Sequence, residues 1–234
     1  MSEVPLYVSL TFGITVLATI AIFHYALSQA FGARRAAMVS GAVIVWSIIQ
    51  SVLAYRGFYL EQLDQLPPRF PLIFVPTLFV IILLLSFKKG RAWMDRFSLV
   101  PLTYLSTVRI VVEIVLYWLF LYQTIPELMT FSGRNFDILA GLTAPLVAYF
   151  GLQRLVLRRR FLLVWNLVAF GLLWFIIINA ILSTPTPVQQ FAFDQPNIAI
   201  FYFPFVLLPA TVVPIVLFAH VVSLRQLYTG LPLS

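Results

Sequence analysis

The stretch Ser98–Tyr122, SLVPLTYLSTVRIVVEIVLYWLFLY, decides what kind of chain this is. Its residues are aliphatic or aromatic almost throughout, and only Arg109 and Glu113 are charged. About 20 apolar residues in helical rise cross the ~30 Å hydrocarbon core of a bilayer. Open strands cannot do so, because their edge amides and carbonyls would go unpaired in lipid. The stretch therefore reads as a transmembrane helix. Working outward, six more apolar runs separate cleanly, at roughly 6–30, 37–55, 70–87, 136–157, 161–182 and 198–222. Pro67, Pro68, Pro126, Pro185, Pro187 and Pro196 punctuate the gaps, as loop prolines do. The expectation is an all-α polytopic membrane protein of seven transmembrane helices, forming one transmembrane domain over residues 1–234.

Composition agrees. Of 234 residues, 62% are hydrophobic and 10% charged, and the mean hydropathy is +0.99. Soluble domains carry about 25% charged residues, so a soluble enzyme, a disordered chain and a coiled coil are excluded. The net charge of +7 does not indicate nucleic acid, because the basic residues sit in short loops rather than on one contiguous face. With no cysteine, disulfides, thiolate metal sites and Cys nucleophiles drop out. The opening Met1–Pro5 has no basic segment of the kind that starts a cleavable signal peptide, so the first run is kept as a span.

Orientation follows from Lys and Arg. Arg34, Arg35, Lys88, Lys89, Arg91, Arg96, Arg154, Arg158, Arg159, Arg160 and Arg225 fall after helices 1, 3, 5 and 7. The other connections hold only Arg56, Arg69 and Arg134, together with Glu3, Glu61, Asp64, Glu127, Asp137 and Asp194. This pattern puts the N-terminus outside and the C-terminus in the cytoplasm, in a bacterial inner (plasma) membrane.

An internal echo pairs helices 1–3 with helices 5–7. Gly13-Ile14-Thr15 matches Gly141-Leu142-Thr143, and Ile48–Leu53 matches Ile177–Leu182. Phe70-Pro71 and Pro76 match Phe203-Pro204 and Pro209. The plan is two parallel three-helix repeats, 6–87 and 136–222, joined by helix 4 at 98–122. This 3+1+3 order resembles the SWEET and PQ-loop transporters in topology. It departs from them in motif, since helices 1, 2 and 6 lack internal prolines and Pro145 is followed by Leu146. No functional residue is carried over. The stretches Met129–Asp137 and Gln189–Asn197 resemble signatures of an uncharacterised family of bacterial multi-pass proteins.

Five groups of residues carry the chemistry. Arg109 and Glu113 lie at i, i+4 on one helix face, extended by Ser106 and Tyr117 into a polar stripe. Ionisable residues at this depth are costly and mark functional sites by default. The pair reads as a gate, a proton relay or a substrate clamp, or as a neutralised structural pair holding helix 4 to the bundle or to a second protomer. His24, His220 and Asn166 fall at similar depth as a cytoplasmic-side layer. Two such histidines serve haem or a metal, or else hydrogen-bond neighbouring helices. Pro71, Pro76, Pro204, Pro209 and Pro214 suggest a hinge or cavity, since an internal proline frees a carbonyl at i−4. Thr11, Thr15 and Thr19 read as packing hydroxyls. An outer loop containing Gln189, Gln190 and Asp194 caps an outward pocket with Asp64, Arg134 and Asp137, or is a stiff connector.

The functional expectation is a transporter, channel or facilitator for a small polar solute. Alternatives are a membrane-embedded enzyme, a lipid-, pigment- or haem-binding protein, and a non-catalytic partner subunit docking through helix 4. Membrane lipid is the surrounding partner, and no resident cofactor is expected.

Overall fold

The computed structural model describes residues 4–231; Glu3 of the charge argument lies outside them. Helix makes up 71% of the chain, and no strand occurs among the described residues. The helices are α1 (Leu6–Phe31), α2 (Ala33–Tyr55), α3 (Val75–Ser86), α4 (Lys88–Met94), α5 (Leu99–Leu105), α6 (Val108–Leu121), α7 (Asp137–Leu146), α8 (Arg159–Leu182) and α9 (Val213–Thr229). A π-helical turn at Leu208–Val212 runs into α9, and another at Val147–Gln153 extends α7.

Five segments are long and apolar enough to cross a membrane: α1, α2, α5–α6 together, α8, and Leu208–Thr229. The other two apolar runs are shorter. At 1.5 Å per residue the 12 residues of α3 extend only about 18 Å, and Phe87, in extended backbone, ends the helix there. Two boundaries also move. The second helix begins at Ala33, with Arg34 and Arg35 in its first turn, because Gly32 reverses the chain in one residue. Its φ of 81° with ψ of 162° is backbone that only glycine adopts without strain. The last helix runs over 208–229 rather than 198–222, with Ala199–Phe201 a separate 3₁₀ turn.

The polar helices are inside. The most apolar windows of α5–α6 and of Leu208–Thr229 are 67% and 61% buried, against 33%, 22% and 28% for α1, α2 and α8. Those outer helices expose Leu10, Leu17, Val45, Ile49, Val164 and Val168, while Arg109, Glu113, Asp137 and His220 are buried. A chain folded in water shows the opposite distribution.

The four basic segments meet at one end. Phe31, beside the α1–α2 junction, stacks on Trp93 at 4.8 Å, and Arg225 of α9 forms a two-pronged ion pair with Asp95 at 2.8 and 2.7 Å. Gln226 donates to the Met94 and Phe97 carbonyls, and Arg159 donates to the Leu231 carbonyl. At the opposite end the 183–198 loop is pinned to the end of α6. Gln195 donates to the Phe120 and Ile125 carbonyls, and the Ile198 and Ala199 amides donate to the Thr124 carbonyl.

The prolines lie at helix starts more than in helix middles. Pro71, Pro76 and Pro209 each occupy the first two positions of a helical segment, where little or no donor is lost. Pro204 precedes the last helix altogether. The expected break survives at one place, since Pro214 lies seven residues into the continuous Leu208–Thr229 helix. It frees the carbonyl four residues back, at Ala210, and Trp46 Nε1 of α2 donates to that oxygen at 3.0 Å. Ser47 bonds Thr211 beside it at 2.8 Å. The π-helical turn is thereby locked to α2. Thr15 and Thr19 bond the carbonyls of Thr11 and Thr15 along their own helix.

Trp46→Phe should cost about 1 kcal/mol, within the range for hydrogen bonds between membrane helices, read as a lower melting temperature in detergent. On a Pro214→Ala background, where the helix supplies its own donor to Ala210, the same change should cost close to nothing. Equal costs on both backgrounds would refute the assignment.

Candidate functional site

Arg109 lies just past the junction of α5 and α6, where Ser106, Thr107, Arg109 and Ile110 make tight i→i−3 backbone bonds. Beside it Gly141 admits α7 to close range: a Cβ there would stand 2.9 Å from Ile110 Cγ1 and 3.1 Å from the Ile110 amide. Gly141, Ala144 and Ala148 are buried and form the small-residue face that membrane helices use for close approach. One turn before Gly141, that approach delivers Asp137, the first residue of α7, to the guanidinium.

The guanidinium is taken up by three segments. Arg109 Nε donates to Asp137 Oδ2 at 2.5 Å, and Nη2 donates to Asp137 Oδ1. Nη2 also donates to the Ala169 carbonyl of α8 at 3.0 Å, and Nη1 to His220 Nε2 of α9 at 3.1 Å. Arginine can only donate, so the His220 ring hydrogen sits on Nδ1, which donates to Asn166 Oδ1 at 3.1 Å. Asn166 Nδ2 passes its hydrogen to the Leu162 carbonyl. Arg109 is 3% exposed, Asp137 5% and His220 2%. A two-pronged Arg–carboxylate pair at that burial is the strong, directional kind.

Glu113, one turn further along α6 and 1% exposed, is held differently. Its Oε1 accepts from Asn135 Nδ2, while Oε2 is buried without a hydrogen-bond partner. Asn135 is a hub: Nδ2 also donates to the Met129 carbonyl at 3.0 Å, and Oδ1 accepts the Asp137 amide at 3.0 Å. Within this cluster there are two carboxyl groups and one guanidinium.

Glu113, Asn135 and Asp137 are polar lining residues of a cavity of about 110 Å³. The rest of the wall is largely apolar and includes Phe74, Leu78 of α3, Leu116 of α6, Trp174 and Ile177 of α8, and Leu217 of α9. Pro209 and Pro214 line it, while Pro71, Pro76 and Pro204 do not.

Several expectations are corrected here. The carboxylate partner of Arg109 is Asp137, not Glu113. A carboxylate from a neighbouring helix can meet the planar guanidinium fork edge-on with both oxygens. Asp137 thus leaves the outer-loop group, since it opens a helix and is buried. Asp64, Arg134, Gln190 and Asp194 are exposed and do not line the cavity. Gln189 bonds the Phe191 and Ala192 carbonyls within its own loop. The histidine layer divides. His220 and Asn166 join Arg109, and both His220 ring nitrogens are engaged there, whereas His24 bonds Ser40 at 3.0 Å. Among the described residues no group of three or more His, Cys, Asp or Glu could hold a metal ion. The polar stripe is interrupted: Ser106 is buried at the α5–α6 junction, and Tyr117 stacks on Phe131 at 4.9 Å. Sequence alone singles out neither Asn135, one polar residue among several in Met129–Asp137, nor Ala169, whose backbone carbonyl leaves no mark in sequence.

Arg109→Met or Asp137→Asn alone should destabilise the protein by about 3–5 kcal/mol, because each strands a buried charge. The double change should recover most of that loss. Glu113→Gln, which breaks no ion pair, should be far milder. Thermal melting in detergent measures all four variants, and a Glu113→Gln penalty equal to that of Asp137→Asn would refute the pairing.

No curated protein and no solved structure matches the chain. A family model described as Domain of unknown function (DUF8737) matches residues 87–228, a span that contains Arg109, Glu113, Asn135, Asp137, Asn166 and His220 but not α1, α2 or α3. That is more than half of the 234 residues, so the chain belongs to the DUF8737 family.

Proposed function

We propose that this protein is a bacterial inner-membrane facilitator whose cavity accepts an amphiphilic molecule from the bilayer. One observation carries the reading, namely a largely apolar cavity of about 110 Å³ with Glu113, Asn135 and Asp137 among its few polar lining residues. Ligand pockets are typically apolar, with a few placed polar groups that orient the occupant. A small polar solute would gain little from such a wall. An acyl or aromatic body gains about 25 cal/mol for each Å² removed from water. Residues of α3 and α8 line the cavity, and the proposed entry is sideways from lipid between them.

The reading includes seven crossings, an exterior N-terminus and a cytoplasmic C-terminus. Its support is the gathering of the basic segments at one end of the bundle, which the positive-inside rule assigns to the cytoplasm. The duplicated 3+1+3 order belongs to the same proposal. It is supported by Pro76 and Pro209, matched in the echo and both in the first two positions of a helical segment. The paired segments nevertheless differ in length, 12 residues in α3 against 22 in Leu208–Thr229.

Two measurements test this. Ala180→Phe, which fills the cavity wall, should abolish binding of an apolar fluorescent probe to the purified protein while leaving the melting temperature within a few degrees; unchanged binding would sink the cavity reading. Reporter fusions after Arg35, Lys89 and Arg160 should report cytoplasm, and fusions near Gln62, Ser132 and Gln189 the exterior. A reversed loop would overturn the orientation.

A further inference from the structure

We propose that the groove at the α3–α4 elbow binds an anionic phospholipid, its acyl chain along Leu83, Leu84 and Phe87 and its phosphate between Lys88 and Lys89. The proposal shares the membrane reading above but does not depend on the cavity.

Short-range packing builds the elbow. Phe87, in extended backbone, separates α3 from α4. Gly90 then lets α4 turn back onto the end of α3, since a Cβ there would stand 2.8 Å from Leu84 Cα. Arg91 Nη1 secures the turn by donating to the Leu85 and Ser86 carbonyls at 2.8 and 3.0 Å, groups of the kind a helix C-terminus leaves unpaired. The result is an open groove of about 580 Å³ lined by Leu83, Leu84, Phe87, Lys88, Lys89 and Gly90. Leu83 and Phe87 are 42% and 60% exposed, like Phe79, Val80 and Ile82 earlier on α3.

Charge selects the head of the occupant. Of the acidic residues only Asp95 belongs to the segments gathered at this end, and Arg225 takes both its oxygens. Arg91 is committed to α3, and Arg96 lies over the Phe31 ring at 4.8 Å. The ion pairs among the described residues use Arg69, Arg109 and Arg225, so the exposed Lys88 and Lys89 carry uncompensated charge. Lysine stems lie along apolar surface while their ammonium groups reach headgroup level. A nucleic acid or a free phosphate would use those two ammonium groups but gain nothing from Leu83, Leu84 and Phe87. A zwitterionic lipid would cover the apolar wall but bring its own cation to the lysines. An anionic phospholipid satisfies both halves.

The test titrates phosphatidylglycerol and phosphatidylcholine of identical acyl chains into the delipidated full-length protein in detergent, with bound lipid read by native mass spectrometry. Two lysines beside an anionic headgroup predict roughly 20-fold tighter binding of phosphatidylglycerol. The double change Lys88→Gln/Lys89→Gln should bring the two lipids level, while Arg158→Gln/Arg160→Gln, which removes two other exposed charges at the same end, should keep the preference. Equal binding of the two lipids to the unmodified protein would overturn the proposal and leave the topology, which the reporter fusions read separately, untouched. Equal loss of preference in both double variants would overturn it in favour of diffuse surface charge. Displacement of phosphatidylglycerol by excess inorganic phosphate, but not by chloride of matched ionic strength, would overturn it in favour of a soluble anion. The comparison on unmodified protein decides the matter even if a variant does not fold.

Discussion

A guanidinium buried in an apolar bundle constrains everything around it. Removing such a charge from water costs several kcal/mol even after relaxation, so its neighbours must return that energy in the right directions. Arg109 presents N–H groups in a rigid plane, and three segments answer them: Asp137 edge-on from α7, the Ala169 carbonyl from α8, and His220 from α9. Each answer demands a backbone position. Gly141 sets the approach of α7 to α6, and the tight turn at Ser106–Ile110 sets the pitch of α6. Asn166 fixes the His220 ring through Nδ1. The site's machinery is therefore also the bundle's main point of convergence.

Beside this satisfied centre lies an unsatisfied one. Glu113 has the same burial as its neighbours but only one of its two oxygens is bonded. A buried carboxyl with an orphan oxygen is costly in a low-dielectric interior. Structures retain such groups where the cost is recovered by a ligand or by chemistry. Glu113 is also one of the few polar residues lining an otherwise apolar cavity.

The helix ends serve the same arrangement. Pro209 and Pro214 line the cavity, and the carbonyl that Pro214 releases is held by Trp46 rather than left to the cavity. At the basic end Arg225, Asp95 and Gln226 tie α9 to the Met94–Phe97 turn, which fixes the position of the helix carrying His220.

Composition and run length alone determined that the chain is helical, that long segments such as α1 and Leu99–Leu121 suit a membrane, and that Arg109 and Glu113 are exceptional. Those conclusions depend on transfer free energy and helical rise, which are local properties. Pairing is not local. Asp137 read as loop because it follows Gly133, Arg134 and Asn135 and sits at the edge of an apolar run, and nothing in that run shows that Gly141 will seat it against α6. His220 and His24 looked equivalent, since depth is legible from position in a run while rotation about a helix axis is not when nearly every face is apolar. The short length of α3 was also hidden, because 70–87 is apolar throughout and Phe87 stops the helix by backbone conformation rather than by polarity. Only the tertiary structure decided which acid Arg109 takes and which is left open, because that choice depends on the distance and orientation between helices, set by small residues such as Gly141 and by carbonyls such as that of Ala169.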